Sequence, residues 1–140
     1  MSTSYSLTLT NELSELKRIS EAVENFGEVN ALSPKDIFQI NLALDEVITN
    51  IISYAYEDSA CHEIVVTLEL SDQKLMITVI DDGRLFNPLQ IPPLDLTESL
   101  EERQVGGLGI HFVRQVMNHV AYECEEGRNK LLLHKELASR

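Results

Sequence analysis

Two polar residues, Glu46 and Asn50, stand four positions apart in a segment that is otherwise rich in Leu, Ile and Val. At ~100° per residue, an α-helix places both side chains on one face, close enough to act on a single ligand. The apolar residues of the segment fall on the opposite side of that helix, as expected for packing against a sheet. A solvated polar stripe would have the same spacing, so this pair alone does not decide the function.

Two carboxylates, Asp81 and Asp82, directly follow an apolar, strand-like segment and precede Gly83. A carboxylate at the end of a buried strand can place a hydrogen-bond acceptor at the mouth of a cavity, where an exocyclic amino group could donate to it. An ordinary Asp-Gly turn is the alternative, because both residues are common in turns.

Three glycines surround Leu108 in the run Gly106-Gly107-Leu108-Gly109, which opens a predicted helix. Glycine lets backbone N–H groups approach a phosphate closely, and the N-terminus of a helix favours negative charge. A flexible hinge would use glycines in the same way, so both interpretations stay open. The run is not a Walker A loop, because no Gly-Lys-[Ser/Thr] follows it, and it is not a dinucleotide-binding fingerprint.

The elements that must position these residues begin with two helices. The first is predicted over residues 11–26, with Gly27 at the position that ends it. Its predicted apolar face consists of Leu13, Leu16, Ile19, Ala22, Val23 and Phe26. The second helix is predicted over residues 34–56, because Ser33 is a good N-cap and Pro34 suits the first helical position.

Five strands are predicted from apolar runs, at residues 5–10, 63–70, 74–80, 119–124 and 130–136. A polar turn joins the second strand to the third, so these two should pair antiparallel. Residues 81–105 lack a regular period and contain three prolines, which indicates a functional loop or lid before a third helix. The order of elements predicts an α+β layered domain with its helices on one face of the sheet.

Composition limits the functions that the chain could have. Its 140 residues, of which 44% are hydrophobic, suffice for one domain with one core. The 11 basic and 23 acidic residues give a net charge of −12, which argues against broad nucleic-acid or anionic-membrane binding. Without a signal peptide or a membrane-spanning run, a cytoplasmic location is expected. Cys61 and Cys124 are unclustered, so neither a disulfide framework nor a zinc site is predicted.

The order and spacing of the three motifs resemble the N, G1 and G2 boxes of the GHKL ATPase superfamily. The matching runs are Leu42-x-Leu44-x-Glu46-x-x-x-Asn50, Asp81-x-Gly83-x-x-Phe86 and Gly106-Gly107-x-Gly109. This superfamily has the Bergerat fold, a two-layer α/β sandwich with a mixed, mostly antiparallel sheet, helices on one face and an ATP lid. The resemblance covers nearly the whole chain and implies a single histidine-kinase-like ATPase domain at residues 1–140, with the lid at about 83–106.

The resemblance also implies a role for each matching residue. Glu46 would be the general base that takes the proton from the attacking hydroxyl, and Asn50 would bind Mg²⁺. Asp81 would accept a hydrogen bond from the amino group of adenine, with Gly83 leaving space for the base. Arg103 would meet the γ-phosphate, although a solvated charge is equally compatible with its position. The ATP phosphates would be held by the run Gly106, Gly107, Leu108 and Gly109.

Within the superfamily, a chain of this length resembles the free-standing serine-kinase anti-sigma factors of bacterial partner-switching systems. The resemblance implies an ATP-dependent serine/threonine protein kinase that binds Mg-ATP and phosphorylates a STAS-type antagonist, the anti-anti-sigma protein. It also implies a sigma factor as a further partner and a homodimer. A nucleotide-gated protein-binding module without effective phosphoryl transfer is the alternative, because Leu85 stands where the G1 box often has a second glycine.

Overall fold

A computed structural model describes residues 2–56, 60–90 and 107–138 of the chain. The described strands are β1 Ser2–Thr10, β2 Glu63–Ser71, β3 Lys74–Asp81, β4 His119–Glu125 and β5 Arg128–Glu136. The described helices are α1 Glu15–Val29, α2 Pro34–Tyr54 and α3 Gly107–Val116, with a short 3-10 helix at Pro88–Gln90. This order of strands and helices is the order that the sequence predicts. Within the described ranges, no helix is both long and apolar enough to cross a bilayer.

The five described strands form one sheet in the order β1-β2-β3-β5-β4, and every neighbouring pair is antiparallel. The sheet formed by these strands is therefore antiparallel throughout, without the parallel pair that a mixed sheet would contain. The predicted β2–β3 hairpin turns at Asp72, whose φ of 56° is left-handed. Because β5 lies between β3 and β4, the last strand of the chain runs beside the strand that ends in Asp81.

One face of the sheet carries the core. Alternate residues of β2 and β3 point toward the helices and are buried, namely Ile64, Val66, Leu68, Leu70, Leu75, Ile77 and Val79. The same core contains the apolar side of α2, formed by Ile40, Ala43, Leu44, Val47 and Ile48. Complete burial of one large apolar side chain contributes about 1.5–3 kcal/mol, so this layer is the main source of stability. The predicted α+β arrangement, with helices on one face, is confirmed.

The first helix differs from its prediction at both ends. It begins at Glu15, and Leu13, predicted to lie on its apolar face, is 56% exposed. The prediction that Gly27 ends the helix is wrong, because α1 continues to Val29 and Gly27 is buried inside it. A Cβ atom on Gly27 would lie 2.5 Å from both Cδ1 and Cγ1 of Ile37. The absence of a side chain at Gly27 therefore leaves room for Ile37 where α1 packs against α2.

The true end of α1 is a backbone motif centred on Ala31, whose φ of 57° is left-handed. The N–H of Leu32 donates to the carbonyl of Gly27 at 2.8 Å, and the N–H of Ala31 donates to the carbonyl of Glu28 at 3.2 Å. These two bonds are the pattern of a Schellman motif, in which glycine is the usual left-handed residue. The sequence predicts that Gly27 is the left-handed residue that ends the helix. In the structure, Ala31 has that place.

The start of α2 agrees with its prediction. Ser33 adopts an extended backbone conformation, and its Oγ accepts a hydrogen bond from the N–H of Asp36 at 3.1 Å. Pro34 occupies the first helical position, where its missing N–H costs nothing. The helix ends at Tyr54, two residues before the predicted end, and Ala55 caps it.

Replacing Gly27 with Ala is expected to destabilise the protein by about 1–3 kcal/mol, because the added methyl group would collide with Ile37. In an Ile37→Ala background the colliding atoms are gone, and the same Gly27→Ala change should stabilise α1 by about 1 kcal/mol through helix propensity. Urea unfolding of the four proteins in this double-mutant cycle measures both effects. A Gly27→Ala effect that does not depend on residue 37 would contradict the packing assignment.

Candidate functional site

Asp81, the last residue of β3, is 4% exposed. Its Oδ1 atom accepts hydrogen bonds from the backbone N–H of Gly83 at 2.9 Å and from Nδ2 of Asn129 at 3.0 Å. Among the described residues, none donates to its Oδ2 atom. Burial raises the pKa of Asp81 above its ordinary value, and the two hydrogen bonds oppose that shift. Oδ2 is therefore the acceptor that this carboxylate can offer to a ligand.

Asn129 of β5 lies opposite Asp81 in the strand register and is 7% exposed. Its Nδ2 atom donates to Asp81 Oδ1 and, at 2.9 Å, to the backbone carbonyl of Arg84. Its Oδ1 atom accepts from the backbone N–H of Phe86 at 3.0 Å and from the hydroxyl of Tyr122. One amide side chain thus holds both the carboxylate and the loop that follows it.

Asn129 is not among the residues that the sequence predicts for the site, because it stands at the end of a run, Glu126-Gly127-Arg128-Asn129, with the composition of a turn. A signal was present in the alternation of β5, where Asn129 is an inward residue two positions before Leu131 and four before Leu133. A polar residue at the first inward position of a buried strand is a candidate partner for another buried polar group. Its partner becomes identifiable only when the register with β3 is known.

Gly83 lies against the end of α2. A Cβ atom on Gly83 would lie 2.6 Å from Cβ and 2.7 Å from the carbonyl oxygen of Ala55. The next residue, Arg84, donates its backbone N–H to the same carbonyl at 2.7 Å. The loop after β3 is therefore fastened to the end of the helix that carries Glu46 and Asn50, and the absence of a side chain at Gly83 is what permits this close approach.

The second carboxylate, Asp82, has a different set of neighbours. Its Oδ1 lies 3.2 Å from Nδ1 of His62, and the ring of His62 stacks on Tyr56 with a centroid distance of 4.2 Å. The hydroxyl of Tyr56 is buried with no hydrogen-bond partner among the described residues. Burial, and then the charges of Asp81 and Asp82, raise the pKa of Tyr56. Asp82 thus attaches the loop to the residue before β2, whereas Asp81 is buried against Asn129 of β5.

Glu46 and Asn50 are half-buried on α2, whereas Ser53, further along the same stripe, is exposed. A stripe that served only for solvation would be exposed along its length, so the half-buried positions favour a cleft. The oxygen atoms of Asn50 and Glu46 are of the kind that Mg²⁺ prefers. No group of three or more His, Cys, Asp or Glu residues in the described ranges could hold a metal ion by itself. Mg²⁺ that is bound together with phosphates needs only one or two protein ligands, which Asn50 fits.

The orientation of α3 follows from a contact at its end. Lys135 Nζ donates to the carbonyl of Val116, the last residue of α3, at 3.0 Å and to Oε1 of Gln39, near the start of α2, at 2.6 Å. Because α3 ends beside the start of α2 and the two helices pack together, we infer that they run in opposite directions. A ten-residue helix rises ~15 Å, so an antiparallel α3 would begin near the level of Asn50 along α2.

The structure describes the positions of most of the predicted site residues. Gly83 contacts Ala55 at the C-terminal end of α2, and Glu46 and Asn50 lie earlier on the same helix. The three predicted phosphate-binding residues that the structure describes are the first three of α3, namely Gly107, Leu108 and Gly109. Gly106 and Arg103 lie outside the described residues, as does most of the predicted lid.

Asp81→Asn is expected to gain stability relative to wild type as the pH rises. The folded protein holds the Asp81 proton more tightly than the unfolded chain does, so wild-type stability falls as the pH rises from 3.8 through the higher folded pKa. Asn at this position keeps an oxygen acceptor for Gly83 and Asn129 but does not titrate. Urea unfolding at a series of pH values measures the difference, with Asp45→Asn on the exposed face of α2 as the control. If the difference in the free energy of unfolding between Asp81→Asn and wild type does not change with pH, the raised pKa of Asp81 is contradicted.

Asn129→Ala is expected to cost about 2–3 kcal/mol, because several buried groups lose their hydrogen-bond partner at once. Tyr122→Phe removes only one of these bonds and should cost about 1 kcal/mol. Hydrogen exchange at the N–H of Phe86 reports on the loop directly and should accelerate in Asn129→Ala. Equal effects of the two substitutions would show that Asn129 does not hold the loop.

Comparison with known proteins identifies the family and supports the fold. The family described as the histidine kinase-like ATPase domain matches residues 9–135. The serine/threonine-protein kinase BtrW of Bordetella bronchiseptica is 30% identical over 96 residues, which are 69% of this chain and 68% of that protein. The serine-protein kinase RsbW of Listeria monocytogenes is 30% identical over 95 residues, which are 65% of this chain and 60% of that protein.

Solved structures support the fold. The RsbU and RsbW domains of Rv1364c from Mycobacterium tuberculosis match with a TM-score of 0.72 and 16% identity, over 99% of this chain and 33% of that one. A chain of the SiaB-SiaC complex from Pseudomonas aeruginosa matches with a TM-score of 0.57 and 18% identity, over 92% of this chain and 88% of that one. The antiparallel sheet with helices on one face is thus shared with these proteins. By its family match and its RsbW- and BtrW-type homologues, the chain belongs to the histidine kinase-like ATPase (GHKL) family.

Proposed function

We propose that this protein is an ATP-dependent serine/threonine protein kinase that binds Mg-ATP and phosphorylates a STAS-type antagonist protein. The observation that carries the proposal is the position of Asp81, which is buried, held through Oδ1 and able to accept through Oδ2. The loop after Asp81 is bonded to Ala55 at the end of α2, the helix that carries Glu46 and Asn50. The names of the BtrW and RsbW relatives, both protein kinases, support the reaction type.

The base of the nucleotide is recognised at the end of β3. Adenine carries an exocyclic amino group, which is a donor, and Asp81 Oδ2 is a matching acceptor. Because Asn129 and Gly83 donate to Oδ1, they favour the ionised carboxylate and hold its orientation. In a base that has a carbonyl in place of this amino group, two acceptors would face each other and no hydrogen bond would form. The site therefore favours adenine over such a base.

The phosphates are held by the start of α3 and by Asn50. The first N–H groups of a helix have no partner within the helix, and glycines at Gly107 and Gly109 let a phosphate approach them. Asn50 supplies an amide oxygen to Mg²⁺, which neutralises charge on the phosphate oxygens when it is bound. These local donors compensate for the net charge of −12, which repels a triphosphate at long range.

Glu46 is the group that takes the proton in the transfer. The hydroxyl oxygen of the acceptor serine or threonine forms a bond to the γ-phosphorus, the bond from that phosphorus to the bridging oxygen breaks, and ADP leaves. The hydroxyl proton passes to the carboxylate of Glu46, which lies one helical turn before Asn50. A half-buried carboxylate beside the phosphate site is suited to this role.

The regulatory part of the proposal concerns protein partners. An RsbW-like kinase that phosphorylates its antagonist would act as an anti-sigma-type regulator in a bacterial partner-switching system, with a sigma factor as the second partner and with a homodimer as the working unit. A nucleotide-gated binding module is the second candidate. Leu85 favours this second candidate, because it stands in the loop after Asp81 where the G1 box often has a second glycine. The side chain of Leu85 is 54% exposed.

Glu46→Gln is expected to separate these two functions. The variant should still be stabilised by Mg-ATP in a thermal-shift measurement, because Glu46 is assigned to proton transfer and not to binding. At a ligand concentration a hundredfold above Kd, this stabilisation is about 2.7 kcal/mol. Its labelling of a STAS-type antagonist with [γ-³²P]ATP should fall by about 10²–10⁴. Asp81→Asn should lose the thermal shift, because an amide donor would then face the adenine amino group. Glu24→Gln, at an exposed position of α1, is the matched control.

The results distinguish the candidates. If wild type shows the shift but never labels an antagonist, the binding module replaces the kinase. If wild type shows no shift at millimolar Mg-ATP, both nucleotide-dependent functions are rejected.

A further inference from the structure

A buried ionic cluster lies at the end of the sheet opposite to Asp81. Lys135 of β5 points toward the helices and is 4% exposed, which is rare for a lysine. Its Nζ lies 2.6 Å from Gln39 Oε1, 3.0 Å from the carbonyl oxygen of Val116 and 3.8 Å from Asp36 Oδ1. Burial lowers the pKa of Lys135, while the charge of Asp36 opposes that shift. The cluster has no part in the chemistry proposed above.

The partners of Lys135 belong to two different helices. Gln39 and Asp36 lie in the first two turns of α2, and Val116 is the last residue of α3. An ammonium group at the C-terminus of a helix satisfies a carbonyl that has no partner within the helix and interacts favourably with the helix dipole. Lys135 therefore fastens the end of α3 to the start of α2.

This attachment determines where the other end of α3 lies. Among the side chains of α3 that the structure describes, Ile110 and Val113 are buried, as is Met117 just after the helix, and their apolar contacts are not directional. Hydrogen bonds from Lys135 are directional and oppose sliding of α3 along α2. Because α3 is short, a shift at Val116 would move the whole helix, including Gly107 at its other end.

We propose that Lys135 is a positioning residue for nucleotide binding, which fixes the N-terminal N–H groups of α3 relative to Asn50 through Val116 and Gln39. This inference rests on the proposed function, since it concerns the phosphate half of the same site. The base half depends on β3 and β5, through Asp81 and Asn129, and not on α3. Lys135 therefore affects the binding of phosphates and leaves the binding of the base unchanged.

The test compares two ligands, Mg-ATP and adenosine, in a variant without the ionic cluster. Asp36→Asn and Lys135→Met are combined, because loss of the lysine alone would leave a buried unpaired carboxylate. Asn at residue 36 keeps an acceptor for the N–H of Ala138, which now donates to Asp36 Oδ2 at 2.9 Å. Since the loss of one hydrogen bond to a charged group corresponds to about tenfold or more in an equilibrium constant, the Kd for Mg-ATP is expected to rise about tenfold or more. The Kd for adenosine, measured by NMR titration, should not change.

A matched control is Lys130→Met, on the same strand, whose ammonium pairs with Glu125 at the surface. It should leave both dissociation constants unchanged. If the double variant does not fold, as judged by circular dichroism, Gln39→Met gives the same test, because it removes one Lys135 bond and keeps the pair with Asp36.

The outcomes are separable. Equal weakening of both ligands, or no change in either, in a folded variant would overturn the positioning role and leave the proposed function intact. Failure of the wild-type protein to bind Mg-ATP would instead reject the proposed function. Selective loss of Mg-ATP affinity with adenosine affinity retained supports the positioning role.

Discussion

The hydrogen bond that Asn129 donates to Asp81 is the interaction on which the rest of the site depends. Both residues are buried at the same level of two neighbouring strands, and each would be costly to bury alone. Paired, they leave one carboxylate oxygen as an acceptor and fix the loop through Arg84 and Phe86. The loop is fixed in turn to Ala55 at the end of α2. The antiparallel register of β3 and β5 is therefore a condition of the proposed function as well as of stability.

The helix-facing side of the sheet is apolar in its middle and polar at both ends. Asp81 and Asn129 occupy one end, and Lys135 lies at the other, while the rows between them are Val, Leu and Ile. The apolar middle provides the stability and holds the two polar ends at a constant separation. In the proposed function the first end recognises the base, and the second end places α3 for the phosphates. A mutation at either end can then change one half of nucleotide binding without the other.

The net charge of −12 places a further constraint on the proposed function. An acidic protein can bind a triphosphate only where local donors and a cation outweigh its overall field. The start of α3 offers backbone N–H groups, which have no net charge, and Asn50 offers an uncharged oxygen to Mg²⁺. Neutral donors of this kind let a highly acidic domain carry an anion site without a basic surface that would attract nucleic acids.

The sequence by itself determined the features that depend on near neighbours. The order of elements, the Ser33 cap, the inward faces of the strands and the common face of Glu46 and Asn50 all follow from local period and capping chemistry. Tertiary structure decided the role of Gly27, which packs against another helix, and the partnership of Asp81 with Asn129, 48 positions away. Strand register and helix contacts join residues that are distant in the chain, and no local pattern encodes the distance between them.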